Sequence, residues 1–195
     1  MLTLAGCSSR PVPFPTDLPS QRVIDAQYHT VTHDISPLKR YHFEITIPSA
    51  WETLDAAIQQ EPVGQQPADM GGFREPGEWM KNPEAPAKGE VTVTVVNASG
   101  SIVGGEASRQ WLHAILDKTV PGYVLLQERT VRIGRQEAAD VLIRYKGDGA
   151  VIARFWAVPA PDRKQVFVVI GSAPEEEYAS IALKLFTALA TFRML

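Results

Sequence analysis

The chain has 195 residues, 45% of them apolar and 21% charged, which suits one well-buried domain and leaves too little for two. A formal net charge of −3 argues against a sequence-independent nucleic-acid binder, which needs a basic stripe. No run of about 18 apolar residues reads as a membrane-spanning helix, and a single cysteine excludes a disulfide framework or a cysteine-built metal site.

That cysteine, Cys7, closes Leu4-Ala5-Gly6-Cys7. The tetrapeptide resembles the lipobox of bacterial lipoproteins, where small residues admit a peptidase and the cysteine becomes lipidated and N-terminal. The expectation is a lipid anchor on Cys7, with residues 1–7 the remnant of a signal and acyl chains holding the protein to the membrane. Ser8 in place of Asp resembles the outer-membrane sorting pattern of Gram-negative lipoproteins, which implies an outer-membrane protein facing the periplasm. Met1-Leu2-Thr3 has no positive n-region and no full apolar run, so the true start of the signal peptide is expected upstream.

Residues 8–22 carry Pro11, Pro13, Pro15 and Pro19 among polar residues. Such a stretch cannot form a helix or enter a sheet, and it is expected to be an extended tether. Either Val12 and Phe14 dock on a partner or the segment is a disordered leash.

A single domain is expected over 23–195. Its first strand is indicated only by Val31 between Thr30 and Thr32. Over 41–47 the signal is strong: Tyr41, Phe43, Ile45 and Ile47 alternate with His42, Glu44 and Thr46, the pattern of a strand with one buried face. Pro48 ends it, and Trp51 is expected to plug the end of the core. Residues 55–90 are broken by repeated Pro and Gly and predict an irregular insertion loop. It carries Met70, Phe73, Trp79 and Met80, which either anchor a partner or pin the loop to its own domain.

A strand is predicted over 91–96 and a helix over 107–119, with Trp111, Leu112, Ile115 and Leu116 on one face and Ser108 near its cap. Four strands follow at 123–133, 137–145, 151–158 and 165–171, separated by short turn sequences that predict an antiparallel meander. Strand 151–158 is apolar on both faces and needs cover on both, so a layered sandwich follows. The last helix, 175–192, repeats Tyr178, Ile181, Ala182, Leu185, Leu189 and Phe192 at helical steps, with Ser172 and Glu175 reading as a capping box. Leu183 and Phe186 widen that stripe, as a second contact surface or as a flank of the core.

This succession resembles the PsbP-like family, which includes DcrB-type bacterial proteins, many of them lipoproteins. The local match is Phe43-Glu44-Ile45-Thr46-Ile47-Pro48 with Trp51, together with the terminal helix. The resemblance implies an α+β fold, an α/β/α sandwich with a central antiparallel sheet and a C-terminal amphipathic helix packed on it, used mainly for binding or assembly.

No Gly-x-Ser-x-Gly elbow, Walker A or His-Glu-x-x-His occurs. His29, His33 and Asp34 have the spacing of helical metal ligands but extended surroundings, so a solvated face is expected there. Arg132 and Arg144 on adjacent strands make either a small basic patch or part of a mixed surface with Glu128 and Glu137. No catalytic residue, metal ligand or cofactor site is therefore expected. The sequence reads as a non-catalytic, lipid-anchored envelope protein that joins protein partners in an assembly such as a secretion or transport system. Met70, Phe73, Trp79, Met80, Leu183 and Phe186 are its candidate contact residues. The alternative is a carrier or chaperone holding a small apolar ligand or hydrophobic segment between sheet and helix.

Overall fold

The computed structural model describes residues 11–33, 41–54, 67–82, 85, 87–147 and 149–195. Cys7 and Asp34 lie outside them, as do residues 55–66 of the expected insertion loop. The chain enters through α1 (Gln21–Gln27) and β1 (Tyr28–His33), then β2 (Phe43–Pro48), β3 (Glu52–Leu54), β4 (Ala68–Arg74) and β5 (Glu90–Asn97). Helix α2 (Gly104–Thr119) precedes the meander β6 (Val124–Ile133), β7 (Gln136–Lys146), β8 (Ala150–Pro159) and β9 (Gln165–Pro174). Helix α3 (Glu175–Thr191) and a two-residue β10 (Arg193–Met194) close the fold.

The main sheet has seven antiparallel strands in the order β3-β4-β5-β9-β8-β7-β6, and a second, three-stranded sheet has the order β1-β2-β10. Because side chains alternate along a strand, the main sheet presents two faces. On one, Leu142, Ile152, Trp156, Phe167 and Val169 pack beneath α3 and the three-stranded sheet. On the other, Val141, Ile143, Phe155 and Val168 meet Leu112 and Leu116 of α2. The layered antiparallel sandwich and the C-terminal helix on the sheet are as the sequence predicts. Trp51 is buried at the end of the larger core.

Four local expectations are corrected. Residues 68–74 are not irregular: β4 pairs with β5 through a register shift between Asp69 and Gly71. That bulge, with Gly71 at φ 145°, puts Met70 and Phe73 both inside despite their odd spacing, which hides the strand from a period-two reading. Ser172 does not cap α3, because β9 runs on to Pro174 and holds Ser172 opposite Glu90 and Ala153. Glu175 instead pairs with Arg144 at 2.6 Å. Helix α2 starts at Gly104, not near Ser108. There the Gly105 amide donates to the Glu137 carboxylate at 3.0 Å, while Ser108 is buried and donates to the Gly104 carbonyl.

The proline-rich segment is the fourth. Residues 11–19 do not hang free: Val12 and Phe14 pack on the larger core of their own domain. Arg154 fixes them, donating from Nη1 to the Pro15 carbonyl at 2.8 Å while its guanidinium lies 4.0 Å from the Phe14 ring centre.

Candidate functional site

Helix α2 lies chiefly over β7, with lesser contact to β6 and β8. Two connections fix it there. Glu137 holds its N-terminus, and His113 bridges the Tyr123 hydroxyl at 2.9 Å and the Glu128 carboxylate at 2.8 Å near its other end. Burial first, then Asp117 and Glu128, raise the Tyr123 pKa above the usual tyrosine value, so its hydroxyl stays protonated.

A helix about 10 Å across cannot cover seven strands spaced about 4.8 Å apart. Beside α2, strands β8, β9 and β5 are left with a trough of about 760 Å³. Its floor is Val96, Phe155, Val168 and Ile170, and Ile115, Leu116 and Thr119 of α2 form the wall. Thr92, Thr94 and Ser172 add hydroxyls, and the rim carries Tyr145, Lys146 and Glu90. Glu90 is tied to Arg74 Nε at 2.8 Å. Burial, and secondarily Glu90, raise the Tyr145 pKa, which keeps that phenol neutral at the rim. The trough is therefore an apolar cleft with polar edges, suited to an apolar chain whose backbone or head group needs hydrogen bonds.

On the opposite face sits a buried ionic cluster. Asp140 accepts from Arg154 Nε and Nη2, both at 2.7 Å, and from Arg129 Nε at 2.8 Å. Asp140 and Arg154 are fully buried. The Arg154 guanidinium is sandwiched between the Phe14 ring at 4.0 Å and the Phe186 ring at 4.6 Å.

No family model matches the chain, and no curated protein matches it in sequence. Solved structures do. LpqN of Mycobacterium tuberculosis, involved in cell envelope biogenesis, has a TM-score of 0.56 at 14% identity, covering 92% of this chain and 98% of that one. The Ran-binding protein Mog1p of Saccharomyces cerevisiae gives 0.53 at 12% identity, over 86% and 95%. Cyanobacterial PsbP from Synechocystis sp. PCC 6803 gives 0.51 at 14% identity, over 87% and 94%. The chain has the PsbP-like fold. At these identities the likeness extends to the fold alone.

Within this PsbP-like sandwich the sequence-predicted contact residues scatter. Met70 and Phe73 belong to the larger core, and Phe186 is buried against Trp156 and Arg154. All three side chains are buried within the domain. Trp79 is half-buried and pinned to its own loop, donating to the Glu75 carbonyl at 2.7 Å beneath Arg74. Met80 and Leu183 remain exposed, at 56% and 44%. Arg132 and Arg144 form no basic patch. Arg132 stands opposite Glu137 on the α2 side, while Arg144 sits at the far end of the same hairpin and bonds Glu175 on the α3 side. His29 and His33 share a face of β1 but stand four strand residues apart, about 13 Å. Among the described residues no three His, Asp or Glu side chains cluster to hold a metal.

Sequence reasoning raised a site between sheet and helix only as an alternative and did not place it, and it missed the ionic cluster. The cluster had a signal: Asp140 and Arg154 each interrupt an apolar run, 138–143 and 150–159. A charge on such a strand needs a buried partner, and each is the other's. The trough had none, because it is defined by where α2 stops.

Proposed function

We propose that this chain is a non-catalytic binding component of the cell envelope, carried on a lipid at Cys7, which takes an apolar segment of a protein partner into the trough beside α2. The trough is the observation that carries the reading: valine, isoleucine and phenylalanine floor an open cleft that no described element covers. Its polar groups stand at the edge, where they can orient a peptide. LpqN, of the same fold and involved in cell envelope biogenesis, supports the address. Among the described residues no helix is long and apolar enough to cross a membrane, so the proposed attachment rests on the lipid. A second reading, carriage of a small apolar ligand, is favoured by the trough's size, which falls in the range of about 300–1,000 Å³ usual for small-molecule sites.

The test uses the full-length gene product, tagged and extracted from membranes in mild detergent, as wild type and as Ile115→Glu and Ile170→Glu. A different protein should co-purify with wild type and be lost from both variants while their circular dichroism is unchanged. A small apolar compound in solvent extracts of wild type alone selects the second reading. Equal recovery with all three forms, or nothing in any, contradicts both. Radiolabelled palmitate should enter the wild type and not Cys7→Ser, and failure to label wild type removes the anchor.

A further inference from the structure

The two ends of the seven-stranded sheet are unlike. At one end β3 is only three residues long, which limits what can pair with it. At the other, β6 is a ten-residue strand whose outer edge has no partner strand among the described residues. Its register with β7 is unbroken from Gln127 to Ile133, after a bulge between Leu125 and Gln127. The hairpin turn is the two residues Gly134-Arg135, with Gly134 at φ 58°, so Ile133 and Gln136 form the hydrogen-bonded pair next to the turn. Counting back by twos, Arg129 and Val131 also direct their backbone groups at β7. Glu128, Thr130 and Arg132 direct theirs outward.

These three residues are exposed and share the α2 side of the sheet. Their order is acid, neutral, base. We infer that β6 pairs antiparallel with β6 of a second copy of this chain, about a two-fold axis at Thr130. In that register Thr130 faces its own counterpart and the outward amides and carbonyls of all three residues meet. Glu128 then lies opposite Arg132 of the second copy, twice over. No other register centred on an outward-facing residue places both acids against both bases. Glu128 keeps its His113 bond through Oε2, and its Oε1 is only loosely engaged, 3.8 Å from Arg109.

The flanking elements allow this approach. Because α2 lies over β7, the two α2 helices of the pair would be separated by three strand spacings, roughly 14 Å, against 8–10 Å for packed helices. The trough floor lies on β8, β9 and β5, with none of β6, so pairing at β6 leaves it open, and this inference does not depend on what fills it. Edge charges usually keep strands apart. Here they bar parallel or shifted partners and admit one antiparallel register.

Seven paired residues make a small interface, so association is expected in the micromolar range or weaker. Sedimentation velocity of the purified chain over a wide concentration series is the test, with Arg132→Glu and the double substitution Glu128→Arg with Arg132→Glu. Wild type should form a dimer, Arg132→Glu should weaken it at least about tenfold, and the double variant should restore it by exchanging the charges. Circular dichroism and thermal melts establish that each variant folds. Because Glu128→Arg also breaks the His113 bond, Thr130→Pro gives an independent check: the backbone donor it removes points outward rather than at β7, and melting reports any cost of the lost side-chain contact with Gly105. It should abolish the dimer. A monomer at every concentration overturns the inference, as does a dimer indifferent to Arg132→Glu and Thr130→Pro.

Discussion

Removing the Asp140 carboxylate should destabilise this protein more than removing the whole ion pair. Asp140 is fully buried and accepts three charge-assisted hydrogen bonds, two from the equally buried Arg154 and one from Arg129. In Asp140→Ala the Arg154 guanidinium keeps only the Pro15 carbonyl and the faces of Phe14 and Phe186. An orphaned buried charge costs about 3–5 kcal/mol, a large part of the 5–15 kcal/mol that holds a typical domain together. With a urea slope of about 2 kcal/mol/M, a loss near 4 kcal/mol moves the midpoint down by roughly 2 M. Replacing both charges, Asp140→Leu with Arg154→Met, removes the need for compensation and leaves Arg129 free to turn toward solvent. That double variant should lie within about 1 kcal/mol of wild type or above it. Urea unfolding followed by circular dichroism decides it, with m values compared to establish that the unfolding reaction is unchanged. If Asp140→Ala shifts the midpoint by less than a quarter of the expected amount, or the double variant is the worse of the two, the cluster is not the desolvated network described.

Three further outcomes follow from the packing. Tyr178 is buried beside this cluster with no hydrogen bond to its hydroxyl among the described residues, so Tyr178→Phe should raise stability by about 1 kcal/mol where such a change ordinarily lowers it. Burial chiefly, with Arg154 opposing and Asp140 reinforcing, lifts its pKa far above the tyrosine norm. The folded state thus holds that proton more tightly: stability is complete below about pH 10 and falls as pH rises further, and the phenylalanine variant should show a shallower alkaline fall in melting temperature. Gly105→Ala would place a methyl group in collision with the Thr130 side chain. Helix propensity alone would gain up to about 1 kcal/mol, but overpacking costs about 1–3 kcal/mol, so melting should show a net loss that Thr130→Ala relieves in part, since it removes Cγ2 and Oγ1 but keeps Cβ. Phe14→Ala removes one face of the Arg154 sandwich and should cost only about 1 kcal/mol. Its clearer sign is faster proteolysis within residues 11–20, and an unchanged cleavage rate would mean that the segment is not held by that ring.

The meander was legible because its strands are long, its turns carry Gly, Pro and Asp, and neighbours in sequence are neighbours in space. Helix α3 was legible from its repeating apolar stripe. The bulged β4 was not, since one extra residue breaks the alternation on which a strand is recognised. Nor was the docking of Phe14, which depends on Arg154, 140 positions away, standing at the right place on β8. Both arginine and phenylalanine were visible, but no local pattern joins them. The same holds for the trough. Its floor residues read as ordinary inward positions of β5, β8 and β9, and only the footprint of α2 leaves them uncovered.

The most direct test of a binding trough is photo-crosslinking in living cells. A photoreactive amino acid replaces Ile170 on the trough floor, and in a control replaces Gln110 on the exposed side of α2. The trough position should give a discrete adduct with another molecule, and Ile115→Glu in the same chain should remove it. Adducts of equal yield from both positions, or none from the floor, would show that the cleft stays empty in the cell.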